Sequence, residues 1–322
     1  MRIGGEQAPF WRRTPPALFP ATLGMFGLAL AWRAAGEALG APALVGHLIL
    51  AATGAFFLFA FGCYAAKLVK RPAVVMEDLA PAPGRAAVSA GSMCLMLFAA
   101  GIAPLAAGLA SAVWLLGVAL HVVYMICVIR ALMAAPPEGR AVTPVLFLPF
   151  VGYIVSPIAG VPLGFGAIAA PLYAYTLVAG AVIVALSAPR ILLKPTPIPA
   201  RPAAAILLAP TSVAAISANA LGYDDLAAVF IWISAAVALV YVGRWRWLTV
   251  GGYTPAWGAF TFPSAALAGA LLIAAQRWGG PWEWAASLAL IFATVLVPAI
   301  WAITIRDWSL GRLGLMTGAG EA

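Results

Sequence analysis

Residues 44–66 read LVGHLILAATGAFFLFAFGCYAA, 23 positions without Asp, Glu, Lys or Arg, and the run closes on Lys67, Lys70 and Arg71. At about 1.5 Å rise per residue such a helix reaches roughly 35 Å. The hydrocarbon core of a bilayer is about 30 Å thick and takes roughly 20 mainly apolar residues. The stretch therefore reads as a transmembrane helix with a basic, water-facing end. A strand of a membrane barrel would alternate over about ten residues, and this run does not alternate.

The same unit repeats outward in both directions. Apolar runs predict ten helices at about 16–35, 44–66, 87–106, 110–131, 144–163, 167–188, 202–220, 226–243, 257–275 and 284–305. The whole chain of 322 residues is 64% hydrophobic and only 9% charged, whereas a soluble domain runs near about a quarter charged. The 18 Lys and Arg and 10 Asp and Glu are too few to cover soluble domains of this length. Disorder is excluded too, because disordered segments are poor in apolar residues. The 26 prolines and 32 glycines fit membrane helices, which tolerate both. The expected fold is an all-α integral membrane protein. Residues 1–15 form a cytoplasmic N-terminal segment, 16–305 a ten-helix transmembrane domain of five helical hairpins, and 306–322 a cytoplasmic tail.

Charge placement orients this arrangement. Ten spans put Arg2, Arg12, Arg13, Lys67, Lys70, Arg71, Arg85, Arg130, Arg140, Arg190, Lys194, Arg201, Arg244, Arg246, Arg306 and Arg312 on one side, and only Arg33 and Arg277 on the other. Positive residues stay cytoplasmic, so both termini are expected in the cytoplasm of a multi-pass bacterial inner-membrane protein. Glu37, Asp224, Asp225 and Glu283 fall in the opposite loops, and Trp245, Trp247, Trp282 and Trp284 at span boundaries, where interfacial aromatics sit. The net charge of +8 is thus a topology signal and not a nucleic-acid footprint. The apolar run after Arg12-Arg13 outlasts the roughly 7–15 residues of a signal-peptide core, so these arginines read as a cytoplasmic anchor. Cys63, Cys94 and Cys127 show no CxxC spacing, against a disulfide framework or zinc site.

Proline placement separates odd from even helices. Pro20, Pro149, Pro210 and Pro263 recur at similar depth in helices 1, 5, 7 and 9. A proline inside a helix removes a backbone donor and kinks it, and freed groups are tolerated in a membrane only against protein or a water-filled cavity. The odd helices are therefore expected to form an inner ring, with the even ones outside. Small residues follow the prolines, among them Ala21, Gly24, Gly152, Ser212 and Ser264, leaving axial space or allowing close helix approach. Helix 3 departs from the pattern, with Ser89, Gly91 and Ser92 but no proline before Pro104.

These features together resemble a known family. Phe19-Pro20-Ala21-Thr22-Leu23-Gly24 with Ala31-Trp32-Arg33, Phe147-Leu148-Pro149, Leu208-Ala209-Pro210 and Trp257-Gly258-Ala259-Phe260-Thr261-Phe262-Pro263 are similar to the TehA-type tellurite-resistance proteins and plant guard-cell slow anion channels, grouped with four-carbon dicarboxylate transporters. The resemblance implies hairpins in quasi-fivefold arrangement, odd helices lining a central pore, and assembly as a homotrimer. It also implies that a phenylalanine of helix 9 blocks the pore, and the matching residue is Phe262. The plainer reading of Phe262 is packing between helices.

Chemistry is sparse. His47 and His121 are the only histidines, and both fall on even helices. A buried ionisable group in a membrane is a functional hypothesis by default, but a neutral His121 bonded to a neighbouring helix is the plainer reading. No Gly-rich phosphate loop, catalytic constellation or cofactor motif is evident, and none of these is expected. No Asp or Glu lies in the central part of a span, which argues against a proton relay. The expected function is a channel passing small inorganic or organic anions through a neutral pore gated at Phe262. Phe19, Pro20, Gly24, Pro149, Gly152, Pro210, Ser212 and Pro263 are expected to line the pore or kink its helices. The alternatives are a carrier or exporter of malate-like dicarboxylates or tellurite-type oxyanions, and a membrane sensor or scaffold that conducts nothing.

Overall fold

The computed structural model describes residues 9–193 and 196–321, with side chains of 189–193 excepted. Arg2, Lys194 and the side chain of Arg190, all part of the charge asymmetry, lie outside the described residues. Every regular element among the described residues is helical. In chain order these are α1 Leu18–Leu39, α2 Ala43–Lys70, α3 Ala82–Ile102, α4 Ala107–Ala134, α5 Pro144–Gly160, α6 Gly166–Leu193, α7 Ile198–Ala220, α8 Asp224–Gly243, α9 Pro255–Trp278 and α10 Pro281–Ser309. Nine of them are long and apolar enough to cross a membrane; α5 is the shorter one. Short helices Phe10–Arg13, Val74–Leu79, Trp245–Thr249 and Arg312–Thr317 sit between or beyond them.

The chain turns sharply between α1 and α2. Gly40 adopts a left-handed conformation (φ 66°) and its N–H bonds to Ala35 O, the glycine stop that closes many helices. At the start of α3, Pro81 is extended and Pro83 lies in the first turn, where a missing N–H costs nothing.

Burial alternates along the chain. Within α1, α3, α7 and α9, 50–83% of the spanning residues are buried, against 17–33% in the five even helices. Neighbour packing runs α1 to α3, α3 to α5, α5 to α7, α7 to α9, and α9 back to α1. The odd segments thus close on one another. Large exposed apolar side chains concentrate on the even helices, for example Leu58, Leu116, Val178, Trp232 and Val295. Membrane helices need no polar outer face, because lipid is as apolar as leucine.

The recurrent prolines differ from the sequence expectation of four mid-helix kinks. Pro20 is the third residue of α1, where the backbone N–H would lack a partner anyway. Pro149 and Pro210 each stand third in an α-helical stretch that follows 3-10 helix, over Pro144–Leu146 and Ile198–Leu207 respectively. Only Pro263 lies in the interior of a continuous α-helix on an odd segment. For Pro149 and Pro210 the matched depth marks where tight helix hands over to α-helix.

Candidate functional site

Two cavities lie along the axis enclosed by the odd segments. The first, about 480 Å³, is bordered by their N-terminal halves, with Pro20, Ala87, Leu148, Ala209 and Ala259 representing α1, α3, α5, α7 and α9. The second, about 660 Å³, is bordered by their C-terminal halves through Ala31, Leu97, Ile158, Ile216 and Gly269. Phe262 borders both, the one residue shared by the two linings. Its side chain is 9% exposed. A Cβ added at Gly27 would lie 3.2 Å from Phe262 Cδ2 and 3.3 Å from Cε2, so the ring rests against bare backbone of α1.

That close approach is secured one turn earlier. A Cβ at Gly24 would fall 2.4 Å from Thr261 Cβ and 2.8 Å from the Thr261 carbonyl carbon. Such distances are accessible only to glycine. The Thr261 hydroxyl lies 2.7 Å from Gly258 O and 3.1 Å from Pro20 O, tying the residue before Phe262 to both helices. Nothing in composition singled out Gly27 or Thr261; the glycine spacing in Gly24-Met25-Phe26-Gly27 was the available signal.

The other expected site residues divide. Pro20 and Pro263 border the first cavity. Phe19 does not face the axis: it is 1% exposed and packs on Phe57, Phe61, Tyr64 and the bare face of Gly91. Gly24 serves the α1–α9 contact. Gly152 makes room for His121, since a Cβ there would lie 2.3 Å from His121 Cε1. Pro149, Pro210 and Ser212 border neither cavity. Ser212 is fully buried, with its hydroxyl lacking a partner among the described residues.

His121 reaches inward from α4. Its Nδ1 lies 2.8 Å from Ser92 Oγ, and its ring meets Tyr153 edge-on at 4.5 Å. Ser92 Oγ also lies 2.8 Å from Ser89 O, so one hydroxyl bridges the imidazole and the α3 backbone. Of the cysteines, Cys94 is buried and Cys63 and Cys127 half-buried, all unpaired.

Charge at the first cavity is neutralised. Asp78, on the short helix Val74–Leu79, borders it, but the carboxylate is fully buried against Lys67 Nζ at 3.1 Å. It also accepts from Tyr64 Oη at 3.0 Å and from Gly320 N at 2.8 Å. Lys67 Nζ donates further to Thr14 O at 3.2 Å. The tail follows this anchor, and Leu313, Met316, Thr317 and Ala319 border the same cavity. The axis therefore offers two small-residue chambers with an aromatic ring between them, and among the described residues it shows no cluster of nucleophile, acid and base.

No curated protein matched the chain. The sequence does match a protein family, described as voltage-dependent anion channel, over residues 13–306 of 322. That span runs from the N-terminal short helix to the end of α10, and on it the chain belongs to the SLAC1 family of voltage-dependent anion channels.

Proposed function

We propose that this protein is a gated anion channel of the bacterial inner membrane, with a conduit along the odd segments closed by Phe262. Family membership indicates an anion channel or transporter in a multi-pass membrane protein. The observation that carries the finer reading is that Phe262 alone borders both chambers. A ring in that position separates two spaces that are otherwise continuous with opposite ends of the same helices.

The fifth segment supports a ring of five hairpins despite its short length. Of its 17 residues, 7 are 3-10 and 10 are α. At about 2.0 and 1.5 Å per residue they extend roughly 29 Å, close to the thickness of a hydrocarbon core. Both termini are assigned to the cytoplasm on the charge asymmetry, and a homotrimer is adopted from the family resemblance. A conduit that binds anions through many weak contacts lets them leave as well as enter, and the absence of Asp and Glu from the central part of the spans fits that requirement.

Planar-bilayer recording of the purified protein tests this. Phe262→Ala is expected to raise anion conductance by an order of magnitude or more while preserving helical content. Unchanged conductance in a folded Phe262→Ala protein would remove the gate. Saturable flux without unitary currents, in both proteins, would assign a carrier instead.

A further inference from the structure

We propose that Arg33 forms an anion-binding site in the second cavity, selective for small oxyanions such as nitrate or a short carboxylate. It rests on the reading of that cavity as one end of the anion conduit and adds the site where the ion is first held.

Arg33 is half-buried on α1 and borders the same chamber as Phe262. Its position is built, not incidental. A Cβ at Gly46 would lie 2.8 Å from Arg33 Cγ, so α2 leaves a bare strip along which the stem runs. Nη1 donates to Gly101 O at 2.9 Å, fixing the guanidinium against the end of α3. Among the described residues this is its only hydrogen bond, and it makes no ion pair. The Nε–Nη2 edge is left, the edge that takes an oxyanion through two parallel bonds.

Three neighbouring groups bear on the site. Arg277, the other arginine at this end, is already neutralised, since it pairs with the Asp224 carboxylate. Its Nη2 also donates to Asn219 Oδ1 at 2.8 Å. That bond commits the acceptor end of the Asn219 amide, and Asn219 itself borders the cavity. Glu37 borders the cavity as well, but it is exposed at the rim, one turn beyond Arg33, and water screens it more than the recessed cation. The balance of half-buried, uncommitted groups favours an anion.

The test uses full-length protein in nanodiscs, with chloride NMR line broadening as the binding readout and sodium nitrate as competitor. Wild type is expected to show broadening that nitrate removes. Arg33→Gln should lose most of it, Arg33→Lys should retain chloride but lose the preference for nitrate, and Glu37→Gln should bind several-fold more tightly. In the Phe262→Ala background, Arg33→Gln should lower conductance several-fold at low anion concentration and little at high concentration. Nitrate-sensitive broadening unchanged in Arg33→Gln, or unaffected by Glu37→Gln, overturns the site. Loss of binding in Arg33→Gln with no current in any variant keeps the site and overturns the conduction reading.

Discussion

Gly24 stands where α1 and α9 touch, and its missing side chain sets the distance between the helix that carries Phe262 and the helix that backs it. In Gly24→Ala the new Cβ would meet both the side chain and the backbone of Thr261. Overpacking of this kind costs about 1–3 kcal/mol, so the thermal midpoint should fall. Thr261→Ala in the same protein should not restore it, because alanine keeps the Cβ at 2.4 Å and the backbone carbon at 2.8 Å. Full recovery would show that the side chain alone limits the approach. Phe262 itself was legible from its place before Pro263 and from the family resemblance. Gly27, which backs the ring, was not, because a glycine's role as a bare wall depends on what lies opposite.

Among the elements, α2 does most to anchor the first cavity. Lys67, in its last turn, holds Asp78 of the short helix Val74–Leu79, and both side chains are fully buried. Breaking a buried pair from one side costs about 3–5 kcal/mol, because an uncompensated charge remains, whereas replacing both members is often near neutral. Lys67→Met is therefore expected to destabilise by that amount, and Lys67→Met with Asp78→Asn to recover most of it, read as denaturation midpoints in detergent. A double variant no more stable than the single one would remove the charge argument. The sequence places Lys67, Lys70 and Arg71 together as a cytoplasmic cluster, and only the fold separates them. Lys67 turns inward to Asp78, while Arg71 pairs with Glu77 and reaches the backbone of Glu321 at the surface. Helix α5 shows the opposite limit. Its apolar composition marks a span, but its changes between 3-10 and α-helix at Phe147, Gly152 and Ser156 occur where it packs among four neighbours, α3, α4, α6 and α7, as well as beside its prolines.

For the whole molecule, the testable quantity is topology. In a cysteine-free background, a single cysteine at Glu138 should react with an impermeant thiol reagent only from the cytoplasmic side, and one at Glu283 only from the outside. Labelling of both positions from the same side would break the alternation of ten spans. The inside-positive bias is what carries this prediction, since charge near span ends orients a chain during insertion.

Length, apolarity and charge spacing are local properties, and a bilayer reads them segment by segment. For that reason the sequence by itself determined that the chain is helical, that it is built to cross a membrane repeatedly, and where each apolar segment lies to within a few residues. Which residue of a helix meets the axis is another matter. In a soluble helix a polar face and an apolar face declare the orientation, but here nearly every face is apolar and lipid competes with protein for all of them. Rotation of each helix is then settled by contact: where a glycine admits a neighbour's backbone, where a ring finds a bare wall, where an arginine finds a carbonyl. Only the tertiary structure could place Phe262 between two cavities, turn Phe19 away from them, and leave Arg33 in one of them with no ion-pair partner among the described residues.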